Sequence, residues 1–226
     1  MSVAFKINGQ PKRIPSKWEE LTLGQAIDLL QWSEDESRKT DLVEMASILS
    51  GIEKSKLLDQ KQETIESMIT PMFMHMNEHV IKADAWKPPV QYVLDGSVYN
   101  REINVGEKPY GCMDIFEKAL SMECRFIEKI PLLIASMSYK GKFGGRDLEA
   151  RKDIEDLANG AVMDMPLKEA HSLASFFLTK YNTLLRQQES KAMNTLRPKS
   201  GLASRISKYL ASSVRFTRSQ METSQR

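Results

Sequence analysis

Residues 75–79 read His75-Met76-Asn77-Glu78-His79, an H-x-x-E-H spacing. Histidines at i and i+4 share one face of a helix, so they can ligate one metal ion while the intervening glutamate takes a proton from bound water. That chemistry also requires a further acidic ligand carried on a larger scaffold. The flanking Met72, Phe73, Met76, Val80 and Ile81 form an ordinary apolar stripe, with the histidines on its border. The motif therefore reads as helix histidines, and no metal site is assigned. Gly141-Lys142-Phe143-Gly144-Gly145-Arg146 resembles a phosphate cradle in composition. It lacks the G-x-x-x-x-G-K-[ST] spacing and follows a helical stretch, so it reads as a helix–helix connection. No Gly-x-Ser-x-Gly is present, and His171 has no nucleophile pattern beside it. Acidic runs such as Glu19-Glu20 and Glu34-Asp35-Glu36 read as caps and solvated faces. No catalytic residue and no cofactor is assigned, and a non-enzyme is expected.

The elements that would position any site follow from turn chemistry and periodicity. Ala4 to Pro15 reads as a β-hairpin about Asn8-Gly9, since a type I′ turn needs positive φ at both central residues. Thr22 then caps a helix, with Gln25 completing a capping box. Val90 to Tyr99 repeats the hairpin about Asp95-Gly96, and Tyr110-Gly111 opens another helix. Each turn glycine precedes the glycine opening the next helix by 15 residues, Gly9 to Gly24 and Gly96 to Gly111. We read a hairpin-then-helix unit used twice. Between the units, Asp41 to Leu49 is helical, with Gly51 as its stop. Thr64 to Ala85 is helical with an interruption at Pro71. Met113 to Tyr139 is helical and broken at Pro131, Asp147 to Ala158 is a helix, and Asn159-Gly160 is a loop. Pro166 is the first residue of a helix running to about Lys191.

The expected fold is α+β and mainly α-helical: two short hairpins each followed by a helix, further helices, and a basic C-terminal extension. The expected units are 1–33 (hairpin and helix), 34–89 (helical connection), 90–196 (second hairpin with a helical bundle) and 197–226 (basic amphipathic tail).

Of 226 residues, 41% are hydrophobic and 27% charged, an ordinary globular balance. No apolar run reaches the length needed to cross a bilayer, and no secretory leader is visible. Cys112 and Cys124 suit neither a disulfide framework nor a zinc site. Both fall in a helical stretch and read as small apolar groups, so a reducing cytoplasm is the expected compartment. The methionines read mainly as core filling, with an adaptable binding groove as the other use of such residues.

The net charge of +2 conceals a segregation: residues from Lys191 onward carry +7 and the body −5. Leu202, Ile206, Tyr209, Leu210 and Val214 fall on one helical stripe, with Arg205, Lys208 and Arg215 off it. A basic amphipathic segment behind Pro198 and Gly201 suits a partner's groove, an anionic lipid surface or nucleic acid. The partner-binding residues expected are Leu202, Arg205, Ile206, Lys208, Tyr209, Leu210 and Arg215.

The phrase Ile14-Pro15-Ser16-Lys17-Trp18-Glu19-Glu20-Leu21-Thr22-Leu23-Gly24-Gln25 resembles one found in small virion or tail-assembly proteins of tailed bacteriophages. Pro166-Leu167-Lys168-Glu169-Ala170, leading to Phe176-Phe177-Leu178-Thr179-Lys180, is similar in kind. The resemblance spans about 35 residues, contains no catalytic signature and transfers no binding residue. It implies a tail-assembly chaperone or a minor virion component, in the host cytoplasm or the virion. The implied partner is another phage structural protein, with a homo-oligomer among the arrangements. The alternative is a nucleic-acid-binding or packaging accessory that uses the tail.

Overall fold

Asp95 and Gly96 both adopt positive φ, 47° and 70°. They close the hairpin of β3 (Gln91–Leu94) and β4 (Ser97–Asn100) in antiparallel register, with Tyr92 opposite Tyr99 and Val93 opposite Val98. An earlier hairpin joins β1 (Val3–Ile7) and β2 (Gln10–Ile14). The structure is a computed structural model, which describes residues 3–7, 10–38, 41–76, 86–143 and 147–196. The Asn8-Gly9 turn lies outside those residues.

Each hairpin leads through one turn of 3₁₀ helix, Trp18–Glu20 or Val105–Glu107, into a twelve-residue helix: α1 (Leu23–Glu34) or α5 (Tyr110–Ser121). The remaining helices are α2 (Leu42–Ser50), α3 (Lys54–Leu57), α4 (Gln62–Met76), α6 (Phe126–Ser138), α7 (Asp147–Leu157) and α8 (Leu167–Leu196). The chain is thus α+β and mainly helical, with two hairpins each followed by a helix.

The start of α1 is built as its sequence demands. Thr22 Oγ1 accepts from the Gln25 N–H at 3.2 Å, and Gln25 Oε1 accepts from the Thr22 N–H at 3.0 Å. Gln25 Nε2 also donates to the carbonyls of Ile48 and Leu49, at 3.1 and 3.0 Å. One amide therefore completes the cap of α1 and fills the orphan acceptors at the end of α2. Gln25→Glu keeps the cap acceptor but points a carboxylate at two carbonyls. We expect a loss of about 2 kcal/mol in urea unfolding, against about 1 kcal/mol for Thr22→Ala. Equal stability of Gln25→Glu and the parent would rule out this bridge. The end of α2 is closed by Gly51 at φ 64°, a left-handed cap.

Three prolines depart from the sequence expectation. Pro131 lies inside α6 and Pro71 inside α4; neither breaks its helix. An interior proline loses a hydrogen bond and costs about 3 kcal/mol. In α6 that cost is outweighed by burial of ten of the thirteen residues. The break expected at Pro131 falls instead at Met122–Arg125, where the Arg125 N–H donates to Glu128 Oε2 at 3.0 Å and starts α6 afresh. Pro166 sits just ahead of α8, not as its first residue, and α8 continues to Leu196. The loop expected at Asn159-Gly160 is a turn of π-helix, Ala158–Val162, continuing α7.

A continuous apolar cluster runs from Ile14 through α1, α2, α4, α5 and α6 to Tyr181 on α8. At its centre Ile130, Leu133, Ile134 and Met137 of α6 are fully buried against α5, α7, α8 and the π-turn. Met45, Met68 and Met137 are core residues, while Met122 and Met193 are exposed. Cys112 is buried in α5; Cys124 lies in the turn before α6 and is half-buried, which corrects its helical placement. The N-terminal phrase is tied to the C-terminal half by backbone. Leu23 N–H donates to Met165 O at 2.8 Å, Gly24 N–H to Met163 O at 2.9 Å, and Leu167 N–H to Leu21 O at 2.8 Å, about a bridge between Thr22 and Pro166. A Cβ on Gly24 would meet Met163 O at 3.3 Å, so glycine permits this close approach.

Candidate functional site

The register of the second hairpin fixes which backbone groups it leaves over. In a two-residue hairpin Leu94 and Ser97 exchange both hydrogen bonds, as do Tyr92 and Tyr99. The Arg101 N–H then donates to Val90 O at 3.0 Å, in phase with that pattern. Gln91 and Val93 therefore turn their N–H and C=O groups away from β4. Among the described residues no other backbone pairs with them. On β4 the corresponding outward carbonyl, that of Val98, accepts from Lys140 Nζ at 3.2 Å. On the β4 edge one carbonyl is thus taken by a lysine, while among the described residues the β3 edge has no partner.

The open edge borders a groove of about 590 Å³. Gln91, Val93 and Asp95 form one side of it. Gly160 and Ala161 of the π-turn, Asp164, Pro166 and Glu169 at the start of α8 form the other. Its charged lining, Asp95, Asp164 and Glu169, is wholly acidic. Val93 and Val98, paired across the hairpin, are 58% and 57% exposed on its outer face. The inner face is anchored. Tyr92 stacks on Tyr99 at 5.5 Å and meets Phe177 of α8 edge-on at 6.4 Å, and Lys140 Nζ sits 4.0 Å over the Tyr99 ring. Ser138 Oγ gives its one proton to Ile134 O at 2.7 Å, so the Tyr92 hydroxyl donates to Ser138 Oγ at 2.9 Å. Burial pushes the Tyr92 hydroxyl up to about 12, with Ser138 opposing and the neighbouring Tyr99 adding to the rise.

An unpaired strand edge beside an open groove suits main-chain recognition of an extended peptide, with the carboxylates selecting positive side chains.

The other candidates fall elsewhere. His75 lies on α4, while Glu78 and His79 are outside the described residues; no group of three metal-ligating side chains occurs among the described ones. In the glycine-rich loop, Phe143 packs against Tyr139 at 5.7 Å and lies where a Cβ of Gly111 would be, which fastens the loop to the start of α5; Gly144 to Arg146 are not among the described residues. Nearby, Lys108 Nζ donates to Tyr139 O at 3.0 Å, and burial, with Lys140 close by, holds its amine below the ordinary lysine value. Burial raises the Cys112 thiol, which keeps it protonated and unreactive. The tail residues Leu202, Arg205, Ile206, Lys208, Tyr209, Leu210 and Arg215 also lie outside the described residues. No described helix is long and apolar enough to cross a membrane.

The groove went unread in the sequence because its walls are some 70 residues apart in the chain. One signal was present: valines at 93 and 98 on the face opposite Tyr92 and Leu94 give the hairpin apolar residues on both sides. Comparison with protein-family models, with curated proteins and with solved structures gives no match for this chain.

Proposed function

We propose that this chain is a non-catalytic assembly protein of tailed bacteriophages, a tail-assembly chaperone or minor virion component, which binds a partner structural protein. The observation that carries the reading is the open β3 edge in its acidic groove, which fits an extended, basic segment added as a third strand. Added to the hairpin, such a segment finds four backbone groups at Gln91 and Val93 and alternates its side chains between the outer valines and the carboxylates. The phrases that resemble phage assembly proteins support the reading further. Leu21–Gly24 and Met163–Leu167 meet in space, and the second of these forms the groove's wall.

Photocrosslinking tests it. With p-benzoylphenylalanine at position 93, co-expressed with the products of neighbouring genes, an adduct to a virion or tail protein is expected through a lysine- or arginine-rich segment. The same probe at Leu58, 65% exposed on another surface, should give none. Absence of any adduct at 93, or the same adducts at 58, sinks the proposal.

A second reading, a packaging accessory that binds nucleic acid, is favoured by the +7 charge from Lys191 onward. On that reading DNA affinity falls steeply with salt and is lost on deleting residues 197–226. The truncation should leave the melting curve unchanged.

A further inference from the structure

The chain itself contains a segment of the kind the groove selects. In Ser212-Ser213-Val214-Arg215-Phe216-Thr217-Arg218 the five residues Ser213 to Thr217 alternate polar and apolar, an extended reading of the stretch where the helical stripe ends at Val214, and the segment has two arginines and no acid. We infer that this segment of one copy adds to the β3 edge of a second copy, so that copies join head to tail. The inference rests on the strand-addition reading above and names the occupant. Beside β3, Val214 and Phe216 extend the outer face that carries Val93 and Val98, and Arg215 on the opposite face meets Asp164 and Glu169.

Geometry favours a second copy over the chain's own tail. The groove lies at the start of α8, which is lined there by Glu169. That helix has thirty residues and carries its far end about 45 Å away. From Arg197 to Ser212 the linker reaches about 50 Å only when fully stretched. A tail returning to its own groove would thus have to be drawn out almost straight, and a tail docking on a neighbour would not. Groove and tail are different surfaces, so the contact is heterologous and propagates until it closes into a ring or ends.

The test uses the full chain in sedimentation experiments between about 5 and 500 µM, a range that brackets weak contacts of this size. The parent's mass should rise with concentration beyond a dimer and fall back as salt is added. Val93→Pro blocks the edge without removing a hairpin hydrogen bond, because the Val93 N–H points outward. Arg215→Glu with Arg218→Glu disables the tail. Each variant alone should sediment as a single chain. Mixed in equal amounts they should form a dimer and stop, because one supplies a working tail and the other a working groove. Should Val93→Pro fail to fold, Asp164→Lys with Glu169→Lys takes its place as the disabled groove.

A parent that is monomeric throughout, or a mixture that never dimerises, overturns the inference. Self-association untouched by either groove variant also overturns it. If position 93 crosslinks to another protein while the parent stays monomeric, strand addition stands and only the identity of the occupant fails. If position 93 captures nothing, both fail together.

Discussion

Phe177→Ala should lower the stability of the protein by about 4 kcal/mol, within the range for deleting a fully buried phenylalanine. Phe177 has no exposed surface and lies where α8 receives both the core and the second hairpin. Its ring contacts Tyr92 at 6.4 Å and Phe176 at 6.0 Å. Removing it leaves a cavity beneath Tyr92, so the hairpin should loosen as well as the core. Two measurements separate these effects. Urea unfolding gives the global loss, and native-state hydrogen exchange at Tyr92 and Tyr99 reports the hairpin's own opening. Phe176 is the control. It is half-buried, with Arg101 and Lys180 over its ring at 5.3 and 5.2 Å, and Phe176→Ala should cost about 1 kcal/mol. Equal costs for the two substitutions would show that the hairpin is not hung on Phe177.

Alkali should unfold the protein through the same contact. The Tyr92 hydroxyl, at an ordinary value of 10.0 when exposed, is raised to about 12 in the fold. Below pH 10 both states hold the proton and this contribution is intact. Between pH 10 and about 12 the unfolded chain gives the proton up while the native chain keeps it, so stability falls by about 1.4 kcal/mol per pH unit. The total is about 3 kcal/mol, lost as pH rises through the folded value. Tyr181 adds to the fall in the same direction, since burial and then its hydrogen bond to Glu117 raise it also. Urea titrations across this range should show the slope, and Tyr92→Phe should flatten it after an initial cost of about 1 kcal/mol at neutral pH. An unchanged slope in Tyr92→Phe would place the alkaline transition elsewhere.

The elements that were legible in the sequence are those set by neighbours in the chain. Asp95-Gly96 supplies two positive φ angles, Thr22 and Gln25 close their box, and Gly51 ends α2. Each choice is decided within four residues, where side-chain chemistry acts directly on the backbone. The prolines misled for the opposite reason. Local chemistry says that Pro131 ends a helix, but α6 is buried on nearly every side, and tertiary packing decides there. The actual break at Met122–Arg125 carries neither proline nor glycine; it is made by Arg125 and Glu128.

The groove was illegible on the same principle, because an edge is defined by what fails to pair with it. Nothing in Gln91-Tyr92-Val93 says that β4 lies on one side and a space on the other. The hydrogen bond from Lys140 to the Val98 carbonyl likewise appears only when the hairpin is laid on the bundle.

The union of Thr22 with Pro166 bears on the order in which the protein comes into being. The two residues are separated by 144 positions of chain. At about 5–20 residues per second, translation takes roughly 7–30 s to deliver the second after the first. Throughout that interval the newborn N-terminal third has exposed oily surface and no mate for Leu21, Leu23 or Gly24. A nascent chain halted before residue 163 should therefore cling to chaperones and be cut readily by proteases, and resistance should arrive abruptly once Met163–Leu167 has left the ribosome.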